Sequence, residues 1–564
     1  MTESVEAQRA SQAARNFGVS APGGLEMSLI KDRIVHSPYP DVEIPECTLY
    51  NFVAQALKKH GDKTAYIEGT KAISYAELLK MVRQFATGFQ QNGVCRGDRV
   101  ILALNNTTDG IIAILSLMLS GCVVCFCSGP RTKQELVYHV KDAKASFCLT
   151  DDESLASIVE QQSQCGFKKI FVSVDVPGYV SVSSFKQLPE MALETLQEGD
   201  TKKALCAIAY TSGTTGEPKG VMISQYSFVA CIQNSLGIKC VEKSDIAMVL
   251  WVLISISSIR VFLNLMVLGC TTVVVKPKSG SKKLMEEIRR HNVSIVCASA
   301  SPMSNLANDA HSQGEKLPCV RRTCSIGGSL LPSTVEKMRD VFQLVSLAHV
   351  YGLTEAAGSV LVPPIDALAV PFLGFACPNV VVKVVDTETR APLPEGKGGE
   401  ICFKIPSVMM GYLNKPEQTR KVIDSEGWVS SGDCGYYDAE GRVFYIDRLV
   451  DTVKCIGYHV PTAELEELIV TMHEVREAAV VGIQNTAYQD SPVAFVVLKD
   501  GVTAGQPLAQ RIKKHVAERS PKHMHLYGGV VFLESLPKNN LGKVLKKDLR
   551  KMAVDSKTQR LCVD

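Results

Sequence analysis

The sequence predicts an α/β protein with a large N-terminal domain of layered α/β subdomains, residues 1–447, and a small α+β C-terminal domain, residues 448–564. Three observations lead there. From Ser74 onward, helix-period apolar stretches alternate with short β-rich runs, the pattern of a sheet flanked by helices. After Asp447 the order changes to helix, strand, strand, helix, strand, which reads as a separate compact unit with its boundary at residues 447–451. A chain of 564 residues with 46% hydrophobic content can bury several cores.

Ser74 and Glu77 form a capping box, and Leu78, Val82, Phe85 and Phe89 then share one helical face until Gly93 ends the run. GDRVILAL follows as a strand. Residues 111–127 are apolar throughout, but Gly121 breaks them and Val, Cys and Phe follow, so they read as a buried helix and then a strand. The apolar stretch 246–275 is interrupted by Arg260, Asn264 and Gly269 and ends in TTVVV, too broken for a bilayer span. KKIFVSV continues the strand series. Beyond Asp447 come a helix near Glu464–Met472, strands AAVVGI and PVAFVVL, a helix carrying Leu508, Ile512 and Val516, and strand VVFLESL. No period of solenoid type repeats.

Lys and Arg number 61 against 58 Asp and Glu, a net charge of +3 without like-charge blocks, which excludes the basic footprint of a nucleic-acid binder. The basic run at residues 546–551 reads as a solvated helix face. Nineteen cysteines are scattered through apolar segments, which fits a reducing compartment. Cys122, Cys125 and Cys127 in CVVCFC have no second Cys or His pair nearby, so buried strand cysteines are preferred over a metal site. The first twenty residues contain Glu3 and Glu6 and no apolar stretch, and the C-terminal RLCVD matches neither S-K-L nor C-a-a-X. The expectation is a cytoplasmic protein without a transmembrane segment, a reading compatible with peripheral membrane contact.

The sharpest local feature is TSGTTGEPKG, residues 211–220, directly after the strand-like LCAIAY. Gly213 and Gly216 permit close backbone approach, the hydroxyls of Thr211, Ser212, Thr214 and Thr215 can donate to oxyanions, and Lys219 adds a point charge, as a polyphosphate needs. Pro218 stiffens the exit. The segment lacks the G-K-[ST] of a Walker A loop, and no G-x-S-x-G surrounds Ser212. Alone it would read as a surface turn. Its neighbours change that reading.

The segment resembles the signature of the adenylate-forming enzymes, the superfamily of acyl-CoA synthetases, 4-coumarate–CoA ligases and luciferases. Family-like motifs run in the family order from TLYNFVAQAL to KVLKKDLRKM, nearly the whole chain. By that resemblance SIGGSLLP brings Gly327, Gly328 and Ser329 to the adenine. YGLTE supplies Tyr351 to stack on the base with Gly352 beside it, Thr354 for the α-phosphate and Glu355 for Mg2+. GWVSSGDCGYYDAEGRVFYIDR assigns Asp433 and Arg448 to the ribose, LPKNNLGKVLKKDLR carries the catalytic lysine as Lys543, and Lys454 and Gly457 belong to a CoA-side face. The implied chemistry has two steps. A fatty or aromatic carboxylate displaces pyrophosphate from ATP, with Lys543, Thr354, Glu355 and Lys219 in catalytic roles; a small mobile C-terminal domain then presents CoA, giving acyl-CoA and AMP.

Three positions depart from the family pattern. LWVLISISS aligns with the segment P-x-F-H-x-x-G and places Trp251 at the Pro and Ile254 at the His. Val450 stands at a hinge position that is usually polar, and Val350 replaces the glycine before YGLTE. All three spare the ATP side. They keep two alternatives open: a nucleotide-binding or adenylate-donating homologue without CoA ligase activity, and a luciferase-like monooxygenase. Phe228, His349, Ala356, Ala357 and Gly358 are candidates for lining an apolar acyl pocket.

Overall fold

The computed structural model describes residues 28–127, 133–193, 201–211, 218–327, 330, 332–364, 367–368, 372–451, 453–456, 458–485, 487–538, 544–555 and 558–562. Two large sheets with parallel centres dominate it. One has eight strands in the order Gly411–Tyr412, Lys219–Ser224, Leu205–Thr211, Val123–Cys127, Arg99–Ala103, Phe147–Thr150, Lys169–Val172 and Val180–Ser181. Lys219–Ser224 runs antiparallel to both its neighbours, and the strands from Leu205–Thr211 onward pair parallel. The other has nine, from Phe375–Ala376 through Gly358–Val362, Ser346–Leu353, Arg322–Ile326, Ile295–Ala298, Ile246–Val249, Thr271–Val273 and Thr64–Glu68 to Lys71–Ser74.

Local signals produce the connecting helices. Glu77 N–H donates to Ser74 Oγ at 3.1 Å and Ser74 N–H to Glu77 Oε2 at 2.7 Å, closing the expected box on the helix Tyr75–Gln91. Leu78, Val82, Phe85 and Phe89 are all buried by that helix. The apolar run after residue 107 is the helix Thr108–Leu119, buried from Gly110 onward, and Val123–Cys127 is a wholly buried strand. Burial pushes the Cys122 thiol up to about 11. Residues 246–275 form a strand, the helix Ile256–Leu268 and a second strand parallel to the first. Among the described residues no helix is long and apolar enough to cross a membrane.

A third sheet of six antiparallel strands joins Ile30–Lys31 and Ile34–His36 to Val381–Val385, Gly399–Lys404, Val429–Tyr437 and Val443–Arg448. From Val453 onward the chain builds a fourth sheet, Tyr458–Val460, Val453–Cys455, Gln489–Leu498 and Val475–Asn485, with Val530–Phe532 parallel to Gln489–Leu498. Leu508, Ile512 and Val516 of the helix Gln506–Ala517 are buried on it.

The helix Lys546–Val554 is only in part the solvated basic face its composition suggested: Lys547 and Lys551 are exposed, but two other cations are not free. Lys546 Nζ lies 2.9 Å from Glu466 and 3.8 Å from Asp447, and Arg550 Nη2 lies 2.7 Å from Asp451. Spaced four apart, the two cations share one helix face, met by Asp447 and Asp451 at and just beyond the end of the third sheet and by Glu466 of the helix Thr462–Val470.

Candidate active site

Three strands end together. Thr211, Gly327 and Gly352 each stand at the carboxyl end of a strand or just beyond it, where open α/β sheets hold their ligands. They line one cavity of about 580 Å³, whose wall also includes Lys219, Thr354, Glu355, Tyr412, Glu400, Ser431, Gly432, Arg448 and Val450.

On the first wall, Thr211 and Lys219 are antiparallel partners, so the ends of the glycine- and hydroxyl-rich segment are held side by side. Ser212, Gly213, Thr214, Thr215 and Gly216 lie outside the described residues. Lys219 Nζ sits 4.9 Å from the centre of the Tyr412 ring, and the Tyr412 hydroxyl donates to Glu355 Oε1 at 2.7 Å. Tyr412 therefore bridges the cation and the carboxylate by its face and its edge. Burial, reinforced by Glu355, pushes its phenol up, so it stays a donor. Sequence reasoning missed Tyr412 because it belongs to a two-residue strand paired with Val221 and Met222.

On the second wall, Tyr351 and Gly352 pass through a register shift opposite Gly358–Val362. A Cβ at Gly352 would lie 2.4 Å from the Gly358 carbonyl oxygen, so only glycine fits. Gly352→Ala should lower stability by about 2–3 kcal/mol through this backbone collision, which urea unfolding would measure; a loss under 0.5 kcal/mol would mean the strands part freely. Thr354 and Glu355 lie in the 3-10 turn Thr354–Ala356, and Met409 N–H donates to the Glu355 carbonyl at 2.9 Å. Gly327 is exposed at φ +79°. Gly328 and Ser329 lie outside the described residues.

The third wall carries the most buried charge. The Asp433 side chain is 3% exposed; it accepts from the Tyr351 hydroxyl at 2.6 Å and lies 3.1 Å from Arg448 Nε. Burial and then Asp433 push the Tyr351 phenol well above its ordinary range. Burial opposes the Arg448 charge, but Asp433, Tyr445, Tyr351 and Glu355 together outweigh it and the pKa rises. Gly432 N–H donates to Glu400 at 2.9 Å, and Arg390 pairs with the same carboxylate. Glu400 too was missed, since nothing near it in sequence marks a site.

The segment with Trp251 and Ile254 is held from below by Asn106, which is 1% exposed. Its Nδ2 donates to the Trp251 carbonyl at 2.8 Å and its Oδ1 accepts from Leu253 N–H at 2.7 Å. Asn106→Ala should cost about 2 kcal/mol by stranding that N–H, read as a lower Tm; an unchanged Tm would show that water replaces the amide. Ile254 packs against the core, and Phe228 is a core residue. Ala357 and Gly358 line the cavity. Lys543 and Gly457 lie outside the described residues; Lys454 is in the strand Val453–Cys455.

A mixed α/β architecture with a large N-terminal and a small C-terminal domain, and a cavity combining lysine, hydroxyl and carboxylate groups at strand ends, define a nucleotide-handling enzyme class. The model of the AMP-binding enzyme family matches residues 53–413 and that of the AMP-binding enzyme C-terminal domain residues 464–543. The chain belongs to the AMP-binding enzyme family, within the adenylate-forming superfamily. It is 30% identical over 537 residues to 4-coumarate–CoA ligase 3 of Arabidopsis thaliana, covering 92% of this chain and 94% of that one. Identity to 4-coumarate–CoA ligase 1 of Petroselinum crispum is 28% over 534 residues, covering 92% and 97%. Among solved structures, an anthranilate–CoA ligase in complex with anthranoyl-AMP superposes with a TM-score of 0.79 at 20% identity, over 90% of this chain and 98% of that one.

Proposed function

We propose that the chain is an acid–thiol ligase that activates a fatty or aromatic carboxylic acid with ATP and passes the acyl group to CoA. A carboxylate oxygen bonds to the α-phosphorus as the bond to pyrophosphate breaks, giving an acyl-adenylate. The CoA thiol, losing its proton, then bonds to the acyl carbon and AMP leaves. The observation that carries this reading is the convergence of Lys219, Thr354, Glu355 and Arg448 from three sheets on one cavity. Relatives named as 4-coumarate–CoA ligases support CoA as acceptor, and the anthranoyl-AMP of the structural relative supports the adenylate.

In this reading the segment 211–216 and Lys219 cradle the phosphates, Gly327, Gly328, Ser329 and Tyr351 face the base, and Asp433 and Arg448 hold the ribose hydroxyls. Glu355 is a hard oxygen donor suited to Mg2+. Among the described residues no group of three or more His, Cys, Asp or Glu side chains is placed to hold an ion. The ion would supply charge neutralisation. Lys543 draws carboxylate and α-phosphate together against their repulsion, and Lys454 and Gly457 serve the thiol step after the small domain swings about the linker Arg448 to Asp451.

The test is pyrophosphate release from Mg-ATP with purified protein across fatty and aromatic acids, with and without CoA. Acid-dependent release with a CoA thioester as product is the expected result; no release with any acid, while ATP still binds, would overturn it. One observation favours a second reading. Ile254 packs against the core at the position that the resemblance to P-x-F-H-x-x-G gives to the histidine, and release without thioester would identify an adenylate donor to another acceptor.

A further inference from the structure

Arg260, on the helix Ile256–Leu268, is 5% exposed yet lines the same cavity as Lys219, Thr354 and Glu355. Among the described residues no carboxylate pairs with it. Its Nη1 donates to Ser359 Oγ at 3.3 Å, and its Nε is buried without an acceptor. Its other neighbours include the thiols of Cys231, Cys324 and Cys377; burial raises Cys231 and Cys377, and the guanidinium charge offsets only part of that rise. The other arginine among the described residues that line the cavity, Arg448, has Asp433 beside it.

A guanidinium sealed among thiols and one hydroxyl is costly, because its desolvation is offset only by an anion with matching geometry. The local helix does not help. Ile256 and Ser257, at its amino-terminal end, stand on the same wall and add positive potential. The missing counter-ion must therefore come from whatever fills the cavity. It need not be the phosphates, since Arg260 is anchored through Ser359 on the strand Gly358–Val362, while Lys219 lies against Tyr412 on another sheet.

We propose that Arg260 receives a second carboxylate on the acyl substrate, so that the acid this enzyme activates is a dicarboxylic acid. This rests on the acid-activating reading above and names its substrate class. One carboxylate reacts at the α-phosphorus; the other stays ionised and binds the guanidinium. The apolar wall of Ile256, Ile326, Ala357 and Gly358 then contacts the spacer between them.

The experiment compares a homologous series of straight-chain and aromatic dicarboxylic acids with their monomethyl esters, which keep the length and remove one charge. Wild type, Arg260→Met and Arg260→Lys are assayed by acid-dependent exchange of labelled pyrophosphate into ATP. Wild type should prefer at least one diacid over its ester by about 10- to 100-fold in kcat/KM. Arg260→Met should abolish or reverse that ratio, and Arg260→Lys should keep part of it. If Arg260 only ties its helix to Ser359, Arg260→Met lowers Tm and leaves the ratio unmoved, which overturns the proposal. Binding of the same pairs by calorimetry, with a non-hydrolysable ATP analogue present, separates the two levels. Diacid preference in binding that Arg260→Met removes supports the assignment even if exchange is absent and the acid-activating reading falls. Diacids bound no more tightly than their esters overturn it.

Discussion

Lys543→Ala should lower acid-dependent pyrophosphate release by about 10²- to 10³-fold, the size expected when one positioned donor to developing oxyanion charge is removed. Both flanks of this lysine are fixed. Lys538 and Val544 form a β-bridge, and Leu545 N–H donates to the Pro537 carbonyl at 2.8 Å. The helix Lys546–Val554 that follows is tied by Lys546 to Asp447 and Glu466 and by Arg550 to Asp451. In the proposed role the charge acts only while carboxylate and phosphate approach, so thioester formation from a synthetic acyl-adenylate and CoA should stay within about threefold of wild type. Equal losses in both half-reactions would make Lys543 a structural residue.

Asp433→Ala should raise the KM for ATP by about 10- to 100-fold, because a buried carboxylate that fixes both Tyr351 and Arg448 is lost. It should also lower stability by about 2–3 kcal/mol. Breaking a fully buried pair would cost more, but the Arg448 side chain is 38% exposed and water can replace part of its partner. Tyr351→Phe provides the comparison: it removes one donor, keeps the ring, and should shift KM far less. Calorimetric Tm and ATP-dependence of pyrophosphate exchange measure the two effects. If Tyr351→Phe matched Asp433→Ala, the carboxylate would serve only to position the phenol.

What was legible in the sequence was written locally. The Ser74–Glu77 box, the buried helix Thr108–Leu119 and the strands of the last domain depend on residues a few positions apart. The YGLTE and GWVSSGDCGYY stretches likewise put Thr354, Glu355, Ser431 and Gly432 on the cavity wall, with Asp433 buried beside Arg448. The rest depends on pairing at a distance. The six-stranded sheet joins residues 30–36 to residues 381–448, so no window of sequence contains it. Tyr412 reaches Lys219 only because Gly411–Tyr412 adds a strand to Lys219–Ser224. Lys546 and Arg550 looked like solvent charges because their acids lie far back along the chain. Arg260 read as a polar break in an apolar stretch, and only the packing of three elements shows that it borders the cavity without an acid.

The central claim, that a carboxylate oxygen attacks the α-phosphorus of ATP, can be tested by where an oxygen label ends. A substrate acid found by the pyrophosphate assay would be prepared with oxygen-18 in its carboxyl group and turned over to completion with Mg-ATP and CoA, and the AMP analysed by mass spectrometry. The account predicts AMP carrying one labelled oxygen, since the carboxylate oxygen that forms the anhydride stays on phosphorus when the thiol takes the acyl carbon. AMP without label, or with oxygen drawn from solvent water, would mean that ATP is cleaved without an acyl-adenylate and would contradict the account.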